Sequence, residues 1–361
     1  MDGHATRAAR AVLVIDVATA SVERELDRHF AAARLRAGDY GPHYVELWDQ
    51  LEQASAGGKR ARPALVLAAH AGLGGTDRVA ATQLAIAFEL LHTAFIIHDD
   101  VIDRDLVRRG STNVLGAFAA RGTALGADET QARTWGEAAA LLAGDLALSQ
   151  AHRIVAQLEI ETATRGRLLD ILDRAVFVSA AGELSDVTNT VAPHLLGIPD
   201  VLATLEQKTA VYSCEAPLQA GAVLAGASAA DISSVGRFGR LIGIAFQLTD
   251  DMLGVFGDEA QTGKSTIADL REGKITTLLA HARTTTDWPS IAPFIGKTDL
   301  DQAEAAFVRE KLIECGSAAH TEQLARDHVA LAKAELAASA LPEELRELLL
   351  AFADKAVERS R

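Results

Sequence analysis

The chain has 361 residues and a formal net charge of −14, which argues against nucleic acid as a partner and against a stable hold on an anionic membrane surface. Its hydrophobic fraction is 49% with only 8 prolines, much alanine and little β-branched alternation, so an all-α protein is predicted, and no linker-like stretch divides the single domain expected over residues 1–361. Two distant cysteines, Cys214 and Cys315, no signal-peptide pattern and no apolar run of the ~18 residues a membrane span needs point to a reducing cytoplasm.

In chain order, residues 8–34 read as an amphipathic helix closed by a Gly/Pro turn at 38–42, and a short helix runs from there to Gly57-Gly58. In GGKRARP (57–63) three cations surround a turn, and Pro63 is expected at the first position of the next helix. Thr76 or Asp77 should cap a long helix. Its centre, LAIAFELLHTAFII (84–97), is apolar except at Glu89, His92 and Thr93. After Gly110 comes a short helix, and Asp128 or Thr130 should cap the one that follows. Helices are predicted over 135–158 and 161–183, with a connector at Pro193 and Pro199. Asp200 is expected to cap a helix reaching toward Val223, and another helix covers 233–255. The stretch 257–274 is Gly-rich and charged and reads as a mobile loop. Four more helices, at about 275–283, 300–315, 320–338 and 342–358, look like bundle packing.

The chemistry concentrates on two acidic helices. In HTAFIIHDDVIDRDLVRRG (92–110), His92, Asp99 and Asp103 fall on one helical stripe. A mostly apolar helix is normally buried, and buried carboxylates one turn apart need a cation. A magnesium site facing an internal cavity is one reading, and a helix end running into a solvated acidic loop is the other. The second element, IAFQLTDDMLGVFGD (244–258), again sets a polar stripe in an apolar helix: Gly239, Gly243, Gln247, Asp250 and Gly254. Three glycines on one stripe suggest room for something bulky, or else close helix packing. Mg²⁺ binds through a few carboxylates plus substrate phosphate oxygens, so such helices suit a diphosphate. Candidate cations for it are Lys59, Arg60, Arg62, Arg108, Arg109, Lys208, Lys264 and Lys274.

Taken together, GKRARP (58–63), ELLH (89–92), DDVID followed by RRG (99–110), LLAGD (141–145), KT (208–209), FQLTDD (246–251) and GK…DLREGK (263–274) resemble the trans-isoprenyl (polyprenyl) diphosphate synthases, in that family's order. The resemblance implies an all-α fold of roughly a dozen helices around a deep central cavity, and a homodimer. It implies Mg²⁺-assisted ionisation of an allylic diphosphate, attack by isopentenyl diphosphate and loss of a proton. Three Mg²⁺ per active site are implied when substrate is bound.

By motif, Asp99, Asp103 and Asp250 should ligate the metal, with Asp100 and Asp251 in support. Arg108, Lys208, Lys264 and Lys274 should contact the allylic diphosphate. Lys59, Arg62, His92 and Arg109 should hold the isopentenyl diphosphate. Thr209 and Gln247, beside Lys208, should help stabilise the allylic cation.

Two positions depart from the family pattern. Gly254 stands where many members carry a last Asp, and RRGSTNV lacks the common proline. Product length should depend on Phe95, one turn before Asp99, with the small Ala94 beside it. A partly closed floor favours geranylgeranyl diphosphate over farnesyl diphosphate. A class I terpene cyclase is the enzymatic alternative, but it would need no second diphosphate site. A non-catalytic subunit of a heteromeric synthase would tend to lack one acidic motif.

Overall fold

The computed structural model describes the backbone of residues 2–191, 196–257 and 266–357, and the side chains of 20–191, 196–257 and 266–355. Within them all regular secondary structure is helical except for one short hairpin, β1 (Val107–Arg108) antiparallel to β2 (Ser111–Thr112). Its residues gather into two compact units: Met1–Ile171 with Ala220–Ala227, and Leu172–Gln219 with Ser228–Arg361.

The first unit holds α1 (Asp2–Ala37), α2 (Pro42–Ser55), α3 (Ala61–Gly72), α4 (Arg78–Ile102), α5 (Val114–Ala124) and α6 (Glu129–Ala156). Its centre is α4, which packs on α1, α2, α3, α5 and α6. Leu84, Ala85, Ala87, Leu91 and Ala94 are wholly buried. By length and composition α4 could cross a membrane, but 72% of its apolar window is buried in the protein, as in a core helix. The approach of α6 relies on small side chains, Ala140, Ala143 and Ala147 all being buried. A methyl group on Gly144 would stand 2.2 Å from His98 Nε2.

Local capping follows side-chain chemistry. Asp77, not Thr76, caps α4 by accepting from Ala80 N–H at 2.9 Å. Asp128, not Thr130, caps α6 in a reciprocal box with Gln131. Pro63 sits third in α3 rather than first. The helix starts two residues earlier because Arg60, at φ 47°, turns the chain through the left-handed region.

The second unit takes the later part of α7 (Thr162–Val191), α8 (Ile198–Leu205), a π-helix (Glu206–Glu215), and the start of α9 (Ala216–Leu224). It continues through α10 (Ala229–Phe256), α11 (Ala268–Glu272), α12 (Thr277–Ala282), α13 (Trp288–Ile291), α14 (Gln302–Glu314), α15 (Ser317–Ala338) and α16 (Glu343–Val357). Ile244, Leu248, Leu270, Leu278, Leu300 and Val308 form its core.

The single helix expected from Asp200 toward Val223 is thus three segments. Asp200 lies inside α8, and its carboxylate accepts from Gly197 N–H at 2.9 Å. The glycine stripe of α10 also has a different purpose from making room for a bulky ligand. A methyl on Gly243 would stand 2.5 Å from Ala210 Cα, and one on Gly239 2.8 Å from the Cys214 carbonyl. Close packing on the π-helix backbone uses that room. At Gly254 the space holds Asp269 Oδ2, 2.4 Å from such a methyl. Pro193 and Lys264 lie outside the described residues.

Candidate active site

In the first unit the turn before α3 is fixed by Arg60, whose side chain is almost fully buried. Its guanidinium donates to Glu23 at 2.6 and 2.9 Å, to Glu89 Oε1 at 2.5 Å and to the Ser55 carbonyl at 2.7 Å. Arg60 is therefore a structural anchor. It leaves Lys59 exposed and Arg62 half-buried on either side.

On α4 the stripe is plain in the burial pattern. His92, Phe95, Asp99 and Asp103 are each half-buried, while Leu91, Thr93, Ala94, Ile97 and Asp100 are buried. His92 is held well below the ordinary histidine value, first by burial and then by Arg62, Arg109, Arg108 and Arg60. The ring is therefore neutral at neutral pH. Arg60 is matched by Glu23 and Glu89, and Arg108 by Asp99 and Asp100, so it is Arg62 and Arg109 that bring positive charge suited to an anion beside the neutral imidazole. Arg109 is itself held below the ordinary guanidinium value by burial and by Arg108.

The hairpin aims these arginines. Arg109 (φ 53°) and Gly110 (φ 74°) both occupy the left-handed region, as a type I′ turn requires. This tight turn stands where the proline was missed. It directs Arg108 onto Asp100 Oδ1 at 2.5 Å and Asp99 Oδ2 at 3.1 Å. Arg109 reaches the Ala56 carbonyl at 3.3 Å. Gly57, Ile96, Asp100, Arg108, Arg109 and Thr112 help line a cleft of about 310 Å³. Burial raises the Asp100 carboxyl to about 6 despite Arg108, with Asp99 and Asp105 adding to the rise.

In the second unit Lys208 and Thr209 sit on the π-helix, both half-buried. Lys208 Nζ lies 2.7 Å from Asp186 and 3.0 Å from Glu183, both on α7. Lys274 follows Gly273, whose φ of 72° ends α11, and its Nζ is 3.9 Å from Asp186. On α10, Asp250 is exposed and Asp251 buried. Gln247 donates to Asp251 Oδ1 at 2.9 Å. Burial pushes the Asp251 carboxyl up to about 7; Lys274 opposes this, while Asp269 and Asp186 reinforce it.

Asp251 Oδ2 is buried with no hydrogen-bond partner among the described residues, and a hard cation would satisfy it. Hard oxygen donors fit Mg²⁺. Among the described residues no three His, Cys, Asp or Glu side chains converge as a ready-made ligand set. Mg²⁺ commonly takes one or two carboxylates and completes its shell with substrate phosphate and water, so the donor set remains compatible with it.

Sequence reasoning missed the Glu23–Arg60–Glu89 anchor, the pair Glu183 and Asp186, and the seat of Asp269 over Gly254. GELSD (182–186) carried a signal in its i, i+3 carboxylates, which share a helix face.

The geometry can now be set beside known proteins. The family profile described as polyprenyl synthetase matches residues 46–311. The chain belongs to that family. It is similar to a geranylgeranyl diphosphate synthase of Methanosarcina mazei, at 33% identity over 84% of this chain and 86% of the relative. It is also 33% identical to the octaprenyl diphosphate synthase of Escherichia coli, over 88% and 91% of the two chains. Among solved structures, a geranylgeranyl pyrophosphate synthase from Corynebacterium glutamicum, complexed with isoprenyl diphosphate and magnesium, superposes with a TM-score of 0.87 at 29% identity. That match covers 96% of this chain and 98% of the other. This all-α protein is a trans-prenyltransferase of isoprenoid biosynthesis.

Proposed function

We propose that the chain is a Mg²⁺-dependent head-to-tail prenyltransferase that condenses isopentenyl diphosphate with allylic diphosphates. The product of this reading is geranylgeranyl diphosphate, with farnesyl diphosphate second. The observation that carries it is the placement of Arg62 and Arg109 beside neutral His92, on the stripe that also bears Asp99 and Asp103.

In this reading Lys59, Arg62, His92 and Arg109 hold the isopentenyl diphosphate. Neutral His92 donates one N–H without adding charge. Arg108, Lys208, Lys264 and Lys274 receive the allylic diphosphate. Asp99, Asp103 and Asp250 would hold the metal, three ions when substrate is bound, with Asp100 and Asp251 behind them. Bound there, Mg²⁺ supplies charge stabilisation for the departing diphosphate. Thr209 and Gln247 turn dipoles toward the allylic cation, and a dry pocket keeps water from it. No side chain is an obvious general base, so the proton is assigned to the departing diphosphate. Product length is assigned to Phe95, half-buried four residues before Asp99, with fully buried Ala94 beside it. We assign the whole chain to one catalytic domain of a cytoplasmic homodimer. The exposed α7 stripe of Phe177, Leu184 and Val191 supports a contact face for the second copy.

The test is an assay of the purified chain with Mg²⁺, isopentenyl diphosphate and labelled allylic primers. A prenyl diphosphate lengthened by five carbons supports the reading. A cyclised hydrocarbon would indicate a terpene cyclase, and no product a non-catalytic subunit.

A further inference from the structure

Lys208 and Lys274 come from different elements, yet both ammonium groups approach one oxygen. Asp186 Oδ2 is 2.7 Å from Lys208 Nζ and 3.9 Å from Lys274 Nζ. Glu183, three residues earlier on the same face of α7, takes Lys208 at 3.0 Å. The Asp186 and Lys208 side chains are only 14% and 16% exposed. Screening by solvent is therefore weaker than for a surface pair. The backbone beneath is fixed as well, because α7 approaches the π-helix so closely that a methyl on Gly182 would stand 2.2 Å from Lys208 N.

We infer that Asp186 is a positioning residue for the allylic substrate: its carboxylate gathers the Lys208 and Lys274 ammonium groups side by side before a diphosphate arrives, with Glu183 as second anchor. Two ammonium groups that approach the same carboxylate oxygen repel each other. Without the carboxylate they separate, and an incoming diphosphate must draw them together and order both chains. With it, the cations stand preorganised. Glu183 and Asp186 touch no substrate in this account and act through the lysines. The inference rests on the assignment of Lys208 and Lys274 to the allylic diphosphate.

The experiment compares Asp186→Asn, Asp186→Glu and Lys208→Met in the full-length protein. Each is characterised by separate KM values for the two substrates and by calorimetric binding of inorganic pyrophosphate with Mg²⁺. Asp186→Asn should raise KM for the allylic diphosphate about tenfold, the scale of one charge-assisted contact. It should weaken pyrophosphate binding by a similar factor and leave KM for isopentenyl diphosphate unchanged, and Asp186→Glu should restore part of the loss. An allylic KM in Asp186→Asn that is unchanged or lower, while Lys208→Met raises it, would overturn the positioning role. An unchanged allylic KM in Lys208→Met would instead remove the underlying assignment. If Asp186→Asn does not fold, Glu183→Gln takes its place. A severalfold rise in allylic KM alone supports the inference, and an unchanged value overturns it.

Discussion

At the scale of single residues, Arg60 shows how one cation of a basic run can be structural while its neighbours Lys59 and Arg62 stay exposed or half-buried. Replacing it with Met leaves Glu89 buried beside an apolar side chain. The expected cost is about 3–5 kcal/mol, as for other broken buried ion pairs, read as a lower urea midpoint at unchanged slope. Phe95→Ala should lengthen the products made from a given primer, and chromatography of the dephosphorylated prenols will show it. An unchanged distribution would remove Phe95 as the floor. His92 carries a pH prediction whose sign follows from its depressed proton affinity. As pH falls through the ordinary value of 6.5, the unfolded chain binds a proton that the folded ring refuses. This part of the stability is therefore present above that value and lost toward acid. Denaturation midpoints measured from pH 8 to 5.5 should fall toward acid, and His92→Gln should reduce the slope.

At the scale of elements, the π-helix is the feature no local pattern announced. A π-turn forms where tertiary contacts hold a helix off its usual hydrogen-bond register, often at functional sites. Here Gly182, Gly239 and Gly243 let α7 and α10 approach the backbone that carries Lys208 and Thr209. Gly243→Ala sets a methyl against the main chain at Ala210, which has little freedom to move. We expect a loss of about 1–3 kcal/mol, visible as a lower melting temperature. The hairpin at 107–112 makes the same point: Arg109-Gly110 occupies the left-handed turn geometry, and that geometry aims Arg108 and Arg109. By contrast, the caps Asp77 and Asp128 were legible because capping depends on residues three apart in sequence.

For the whole molecule, an excess of negative charge coexists with a local cluster of arginines around His92. Phe177, Leu184 and Val191 stand seven residues apart on α7, and each is more than two-thirds exposed. If this face joins two copies, the wild-type chain should sediment as a dimer and Leu184→Asp as a monomer; a dimeric variant would place the contact elsewhere. The sequence by itself determined the all-α class, the acidic stripe on α4 and the family, because periodicity, capping and motif order are properties of the covalent chain. It also named Lys208 and Lys274. Only the tertiary structure decided that Arg60 turns inward, that the α10 glycines admit a π-helix, that Asp269 takes the space over Gly254, and that Asp186 stands beside two lysines distant in sequence. Those outcomes depend on which backbones approach closely and which charges are buried together, and burial and close approach arise when helices far apart in the chain pack against each other.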